Sequence, residues 1–311
     1  MTKRKIAVIG LGGICKKAYM PILTADADLE LLLYNRSPEP LAEMQAKYRI
    51  DQGTTSLDDV IDRQPDAAFV LTASGTHFDI IKRLLENGVD VFVEKPATLH
   101  SWETKTLAET ADHHGRILMV AFNRRFAPLH VKAKAVWGET PVGMGIFRKF
   151  RSNASHPNLE HQLIDDTIHQ IDLLRFYCGE GHAVSTTHQS LPDKLLGAAC
   201  VIRLESGGIG LIETSLQAGR WREYYSLYGG HQTMEIDAFS QVWFTNGSEK
   251  KQWDETYASS WQTTLAGRGF VGQINHFYSC IETRSIPQTS AWDSVKTQQL
   301  AEEIIKLGKT D

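Results

Sequence analysis

The sequence predicts an α/β protein whose first 122 residues form a doubly wound parallel sheet. Three observations carry this. Short apolar runs alternate with helical patterns at close spacing. A glycine-rich turn, Gly10-Leu11-Gly12-Gly13-Ile14-Cys15, joins the first apolar run to the first helical pattern. Further on, the apolar run Val91-Phe92-Val93 ends in Glu94-Lys95-Pro96.

The strands of this sheet are expected at residues 5–9, 29–34, 67–71, 91–93 and 117–122. Helices are expected near 14–24, 40–47, 57–63, 77–87 and 102–114. Ser56 and Ser101 stand where N-caps belong. Gly88 and Gly115 fall just past helix ends, where a left-handed residue is wanted. Beyond residue 122, residues 196–218 alternate and turn at Ser206-Gly207-Gly208, which reads as a hairpin. Residues 223–227, 233–238 and 241–245 are further short strands, with turns at Gly229-Gly230 and Asn246-Gly247. Ser290-Ala291-Trp292-Asp293 opens a last helix in a Ser-x-x-Asp capping arrangement.

The bulk numbers exclude several classes. A chain of 311 residues has room for two domains. With 33 basic and 37 acidic residues the net charge is -4, so no basic field invites nucleic acid. No apolar stretch approaches the ~20 residues of a membrane span. The N-terminus lacks the apolar core of a signal peptide. Cys15, Cys178, Cys200 and Cys280 are scattered, with no C-x-x-C pair. This reads as a reduced, cytoplasmic protein.

The glycine turn lies between a strand and a helix, where a pyrophosphate is held. Gly10 permits the tight turn, Gly12 a close backbone approach, and Gly13 and Ile14 lead into the helix N-terminus with its N–H donors. Cys15 replaces the usual third glycine and is small enough for helix–strand packing. The second strand ends in Tyr34-Asn35-Arg36-Ser37. A carboxylate there would bind the ribose hydroxyls of NAD. Here Arg36 can pair with a 2'-phosphate and Ser37 can donate to it. NADP is therefore the expected cofactor, with NAD as the alternative. No metal is expected.

These pieces resemble the Gfo/Idh/MocA oxidoreductase family, and they occur in its order. They are the glycine loop, Thr72-Ala73-Ser74-Gly75-Thr76-His77, Glu94-Lys95-Pro96, Phe122-Asn123-Arg124-Arg125-Phe126, and Asp165-Asp166-Thr167-Ile168-His169-Gln170-Ile171-Asp172. Gly12-Gly13-Ile14 with Lys17-Ala18-Tyr19, Asn123 to Pro128, and Trp261-Gln262 with Arg268-Gly269-Phe270-Val271-Gly272 resemble the MviM-type branch. Its "virulence factor" label names no substrate.

The resemblance implies a dinucleotide-binding Rossmann domain over 1–122. It implies a second, α+β domain over 123–311 with a large, mostly antiparallel open sheet for substrate binding and oligomerisation. A terminal helix at about 290–309 would pack back on the first domain. It also implies a cis bond before Pro96 and a homodimer or homotetramer formed through the second sheet.

The implied reaction is hydride transfer between nicotinamide and a hydroxyl or keto carbon of a sugar, a polyol or a related small molecule. Lys95 and His169 match the family's catalytic positions. His169 is the candidate general base, and Lys95 the clamp on the reacting oxygen. Asp165 matches the acidic position that binds substrate or orients His169. On an ideal helix Asp165, His169 and Asp172 face one way, with Asp172 an anchor and Asp166 an alternative partner for His169. Glu94, Thr72, Ser74, His77, Asn123 and Arg125 are assigned to the cofactor side, His77 being otherwise a helix cap and Asn123 and Arg125 otherwise contacts to a substrate. Arg124 is read as structural. Arg151-Ser152-Asn153 is a candidate pocket wall.

Two other classes compete. One is a non-catalytic NAD(P)-binding sensor or regulator on the same fold, disfavoured because Lys95 and His169 are retained. The other is a metal-dependent hydrolase using His161, Asp165 and His169. Against it, His156-Pro157-Asn158 suggests a loop that leaves His161 outside the helix.

Overall fold

The computed structural model describes residues 3–152, 154–254 and 263–309. The chain forms two compact units: Met1–Ala121 with Gln273–Val295, and Phe122–Gly272 with Lys296–Asp311.

The first unit holds a six-stranded parallel sheet in the order β3-β2-β1-β4-β5-β6. Its strands are β1 (Arg4–Ile9), β2 (Leu29–Tyr34), β3 (Gly53–Thr54), β4 (Ala67–Val70), β5 (Asp90–Val93) and β6 (Leu118–Val120). Between them run helices that include Pro38–Tyr48, Leu57–Asp62, His77–Glu86 and Ser101–His113. β1 pairs in parallel with β2 on one side and β4 on the other. Strand order therefore reverses at β1, the place where such sheets bind ligands at their carboxyl ends.

The central strands are apolar throughout because both faces are covered: Ile6 to Ile9, Ala67 to Val70 and Val91 to Val93 are all fully buried. Gly88 (φ 79°) and Gly115 (φ 61°) end helices in the left-handed region as expected. Ser56 caps its helix through the Asp59 amide. Ser101, in contrast, lies inside the first turn and His100 occupies the cap. Two-residue β3 escaped the sequence reading because so short a strand has no period to detect.

Residues 273–295 belong to this unit for a packing reason. Phe277, on the helix Phe270–Thr283, sits edge-on to Phe69 (5.6 Å) and near Phe92 (5.5 Å). Arg284 pairs with buried Asp90 at 2.6 Å, and Thr289 exchanges hydrogen bonds with the Val120 backbone.

The second unit holds an eight-stranded sheet in the order β14-β13-β12-β11-β7-β10-β9-β8. Its strands are β7 (Met144–Phe150), β8 (Gly181–Leu191), β9 (Lys194–Leu204), β10 (Ile209–Ser215), β11 (Arg222–Gly229), β12 (Gln232–Asp237), β13 (Gln241–Asn246) and β14 (Glu249–Asp254). All neighbours are antiparallel except β7 and β10. The hairpins turn at Gly207, Gly230 and Gly247, each with positive φ.

One face carries the core, in which Phe147, Tyr225, Leu227 and Ile236 meet Ile171 and Leu174 of the helix Ile168–Cys178. Leu300, Ala301 and Ile304 of the terminal helix Ala291–Gly308 join them. Ser290 caps that helix through the Asp293 amide. Among the described residues no helix is long and apolar enough to cross a membrane.

β7 is central yet was not expected, because Arg148 and Lys149 interrupt its apolar pattern. Lys149 is 1% exposed and belongs to a buried ionic cluster. Its Nζ lies 2.8 Å from Asp166 and 3.5 Å from Glu223. Arg124 binds Glu223 with two nitrogens at 2.7 and 2.6 Å, and Tyr225 donates to the same carboxylate at 2.6 Å. Burial alone would raise the Glu223 pKa, but attraction to Arg124 and Lys149 outweighs it and holds the group well below the usual range.

Removing one partner from such a cluster strands the others. Glu223→Ala is expected to lower the unfolding free energy by about 3–5 kcal/mol, read from urea titration at neutral pH. A depressed carboxylate contributes its stability above its unfolded value and loses it as pH falls. Wild-type stability should therefore drop progressively below the ordinary glutamate value of 4.5. The variant should lose less over that interval.

Candidate functional site

In the first unit the candidate residues gather at the carboxyl ends of β1, β2, β4 and β5. Gly10 has φ 95°, and a Cβ there would lie 2.7 Å from Thr72 Cγ2 and 2.8 Å from the Thr72 amide nitrogen. Only glycine lets these two strand ends approach so closely. At Gly12 and Gly13 a Cβ would meet nothing within 4 Å, so the loop presents open backbone. The helix that follows begins with a π-helical turn, Cys15–Tyr19. Cys15 is fully buried, and burial pushes its thiol up to about 12. It is a packing residue in the third glycine's place.

The Asn35 side chain accepts from the Leu11 amide at 3.3 Å and donates to the Ser37 carbonyl at 3.0 Å. It braces the glycine loop against the end of β2. A cavity of about 310 Å³ is lined there by Gly10, Gly12, Asn35, Arg36, Ser37 and Thr72. Arg36 and Ser37 are exposed at its rim. Among the described lining residues no side chain is a carboxylate. Open amides at a helix start suit the pyrophosphate of a dinucleotide.

Ser74 opens a short turn, Ser74–Thr76, ahead of the helix His77–Glu86. The His77 ring is fully buried. Its Nε2 lies 3.0 Å from the Thr72 carbonyl, and its Nδ1 lies 3.1 and 3.2 Å from the Pro96 and Ala97 carbonyls. Burial lowers its pKa. His77 thus ties the loop after β4 to the loop after β5. Glu94 and Lys95 are half-buried at the end of β5, and the Lys95–Pro96 bond is cis. Glu94 accepts from the Tyr19 hydroxyl and from the Lys95 amide. Gln273 donates to that hydroxyl at 3.3 Å. The sequence reading noted Tyr19 only within a resemblance and assigned it no contact, and it missed Gln273, because an apolar-helix tyrosine and a distant glutamine give no local signal.

In the second unit Asn123 and Arg125 lie on the buried turn Asn123–Phe126. Asn123 donates to the Arg268 carbonyl at 2.8 Å, and a Cβ on Gly269 (φ 82°) would lie 2.1 Å from the Asn123 carbonyl oxygen. The Arg268-Gly269 segment is therefore seated tightly on this turn. Arg125 donates through Nε and Nη2 to Asp172 at 2.8 and 2.5 Å, both groups being buried. Asp172 anchors the helix that carries His169.

Helical structure runs from Leu159–His161 through the π-helical turn Gln162–Thr167 into Ile168–Cys178. The expected loop before residue 161 ends earlier, because Asn158 caps the His161 amide at 2.9 Å. The π-turn also replaces ideal helical spacing around Asp165. Asp165 is exposed, whereas Asp166 is buried and held by Arg151, Lys149 and Gln162. Burial opposes ionisation of Asp166, but Arg151 and Lys149 hold its pKa well below the usual range. The cluster thus fixes the turn from which Asp165 projects.

His169 is 8% exposed and lies edge-on to Phe122 at 6.1 Å between ring centres. Beside Asp165 stand His156 and His161, whose Nδ1 atoms are 2.8 Å apart. Arg151, a candidate pocket wall, pairs with Asp166. Asn153 and Trp261-Gln262 lie outside the described residues.

Known proteins fit this geometry. Residues 4–122 match the Gfo/Idh/MocA oxidoreductase family, described by its NAD-binding Rossmann fold. The chain is 28% identical to YceM of Salmonella typhimurium over 315 residues, covering 98% of each. It is 28% identical over 228 residues to the scyllo-inositol 2-dehydrogenase (NAD(+)) of Bacillus subtilis, covering 68% of this chain and 67% of that protein. The dehydrogenase MviM of Clostridium difficile superposes with a TM-score of 0.88 at 25% identity, covering 97% of this chain and 99% of that one.

The glycine geometry makes its own prediction. Gly10→Ala places an L side chain at φ 95° against Thr72, and should cost about 1–3 kcal/mol. Gly12→Ala, whose Cβ meets open space, should stay within about 0.5 kcal/mol of wild type. Parallel urea titrations compare the two.

Proposed function

Because the chain belongs to the Gfo/Idh/MocA family of oxidoreductases, we propose that it transfers hydride between NADP and a CH–OH or keto carbon of a sugar, polyol or related small molecule. The observation that carries the cofactor reading is the cavity at the ends of β1 and β2, with Arg36 and Ser37 on its rim. Arg36 pairs with the 2'-phosphate, Ser37 donates to it, and the open amides of Gly12 to Ile14 receive the pyrophosphate. When bound, the nicotinamide cofactor supplies the two-electron acceptor or donor.

The first unit acts as the dinucleotide-binding part and the second as the substrate-binding part. Lys95 donates to the reacting oxygen and stabilises negative charge as the hydroxyl proton leaves. His169 takes that proton and returns it in the reverse direction, as an imidazole can act both as base and as acid. Asp165 binds substrate beside it. Tyr19 and Gln273 hold Glu94, and with it the Lys95 amide. His77 holds the loop after Lys95. Arg125 and Asp172 hold the helix of His169.

The substrate class follows the scyllo-inositol dehydrogenase relative and the polar character of Lys95, Asp165 and His169. Two further readings accompany it. The face of the second sheet that carries Tyr224, Glu235 and Trp243 joins copies of the chain into a homodimer or homotetramer. Four buried, unlinked cysteines suit the cytoplasm.

Two experiments test the reaction and the cofactor. Lys95→Ala and His169→Ala should each lower kcat by at least ~100-fold with cofactor affinity nearly intact. The double variant should fall little further. Near-normal turnover of either single variant removes that residue from the mechanism. By calorimetry, wild type should bind NADPH more tightly than NADH, and Arg36→Ala should lose affinity for NADPH more than for NADH. Equal losses overturn the 2'-phosphate assignment.

A further inference from the structure

We propose that His156, His161 and Asp165 form a binding site for one divalent transition-metal ion, of the zinc type. One ligand atom from each lies within 4.8 Å of the other two. Donors bound to a single zinc ion lie about 3.3 Å apart, so a modest approach of the side chains closes the set. The site is also held in place from outside. His156 is 8% exposed, and its carbonyl accepts from the Leu195 amide at 2.9 Å, which ties the loop to β9. His161 is fixed by the Asn158 cap at its amide. Asp165 projects from the π-helical turn whose next residue, Asp166, is locked by Lys149 and Arg151. Such turns recur at functional sites because they re-aim side chains that an α-helix would space differently.

The ring geometry points to a shared guest. The two Nδ1 atoms face each other at 2.8 Å, so one ring donates its Nδ1 proton to the other's lone pair. Zinc bonds of about 2.0–2.1 Å in a tetrahedral arrangement separate two nitrogens by roughly 3.3 Å. A small opening of the pair therefore admits the ion. The Nδ1 proton then moves to Nε2 of the same ring, so both imidazoles remain neutral ligands and no net proton is released from them.

Two imidazoles and a carboxylate suit Zn²⁺, Co²⁺ or Ni²⁺ better than Mg²⁺ or Ca²⁺, which prefer all-oxygen sites. Three protein ligands leave a fourth position for water or for an oxygen of a bound molecule. In this arrangement Asp165 meets that oxygen through the ion.

The competing hydrolase reading of the sequence would have used His161, Asp165 and His169. The structure instead groups His156 with the first two. His156 precedes a proline outside the helix, so no helical spacing could select it.

The site is tested on the full-length protein, stripped with a chelator and dialysed. Titration with zinc chloride should show one equivalent bound. Cobalt chloride should give visible d–d bands of a site with fewer than six ligands. His156→Ala and His161→Ala should each weaken zinc at least about tenfold and remove the cobalt bands. His161 is exposed, so His161→Gln serves where His156→Ala does not fold. Thermal melting without metal verifies folding of each variant. Absence of saturable binding in wild type overturns the proposal, as does unchanged affinity in a folded His161→Gln. NADPH titration of the same samples reports separately on the nucleotide site, and neither result decides the other.

Discussion

The second unit is organised around a charge that has no access to water. Glu223 is completely buried on β11. It is kept ionised by Arg124 from the turn after β6 and by Lys149 from β7. A bare carboxylate there would be costly enough to take up a proton instead. The same lysine reaches Asp166, and Arg151 completes that pairing. Sheet and helix are thereby joined by charge pairing as well as by the apolar core. Asp165 stands next to a fixed residue and His169 lies one turn beyond it.

The first unit obtains its order differently. Its loops are set by close backbone approach. Gly10 meets Thr72 at a distance that excludes a side chain, and the buried His77 ring bridges carbonyls from two loops. Asn35 fastens the glycine turn to the end of β2. The result is a cleft lined by the glycine loop, with open space at Gly12 and Gly13.

The parallel sheet was legible because its strands are short, apolar and punctuated by turn residues, so period and context agree. Glycine positions predicted helix ends at 88 and 115 and hairpin turns at 207, 230 and 247 for the same reason. β7, β8 and β14 were not legible. β7 carries charges whose partners lie on other elements, and β14 (Glu-Lys-Lys-Gln-Trp-Asp) is an edge strand with mostly polar side chains. Edge strands with such charge avoid unwanted pairing, which erases the apolar signal. For the candidate site, Gly10, Arg36, Lys95 and His169 could be named from motif and chemistry alone. The contacts of Tyr19, Gln273 and His156 could not, because their partners are fixed only by folding.

The sequence by itself determined the class of fold, the position of the glycine turn and the residue types available for chemistry. These follow from local periodicity and from the few residues that tolerate positive φ or carry titratable groups. Only the tertiary structure decided what the paired candidates do. Asp165 and Asp166 are neighbours with identical side chains, yet one is exposed and the other is enclosed by Lys149, Arg151 and Gln162. Arg124 and Arg125 are likewise adjacent, yet they turn to Glu223 and Asp172 respectively. The reason is physical: burial and charge pairing depend on which elements the chain brings together, and a one-residue step along a turn changes both.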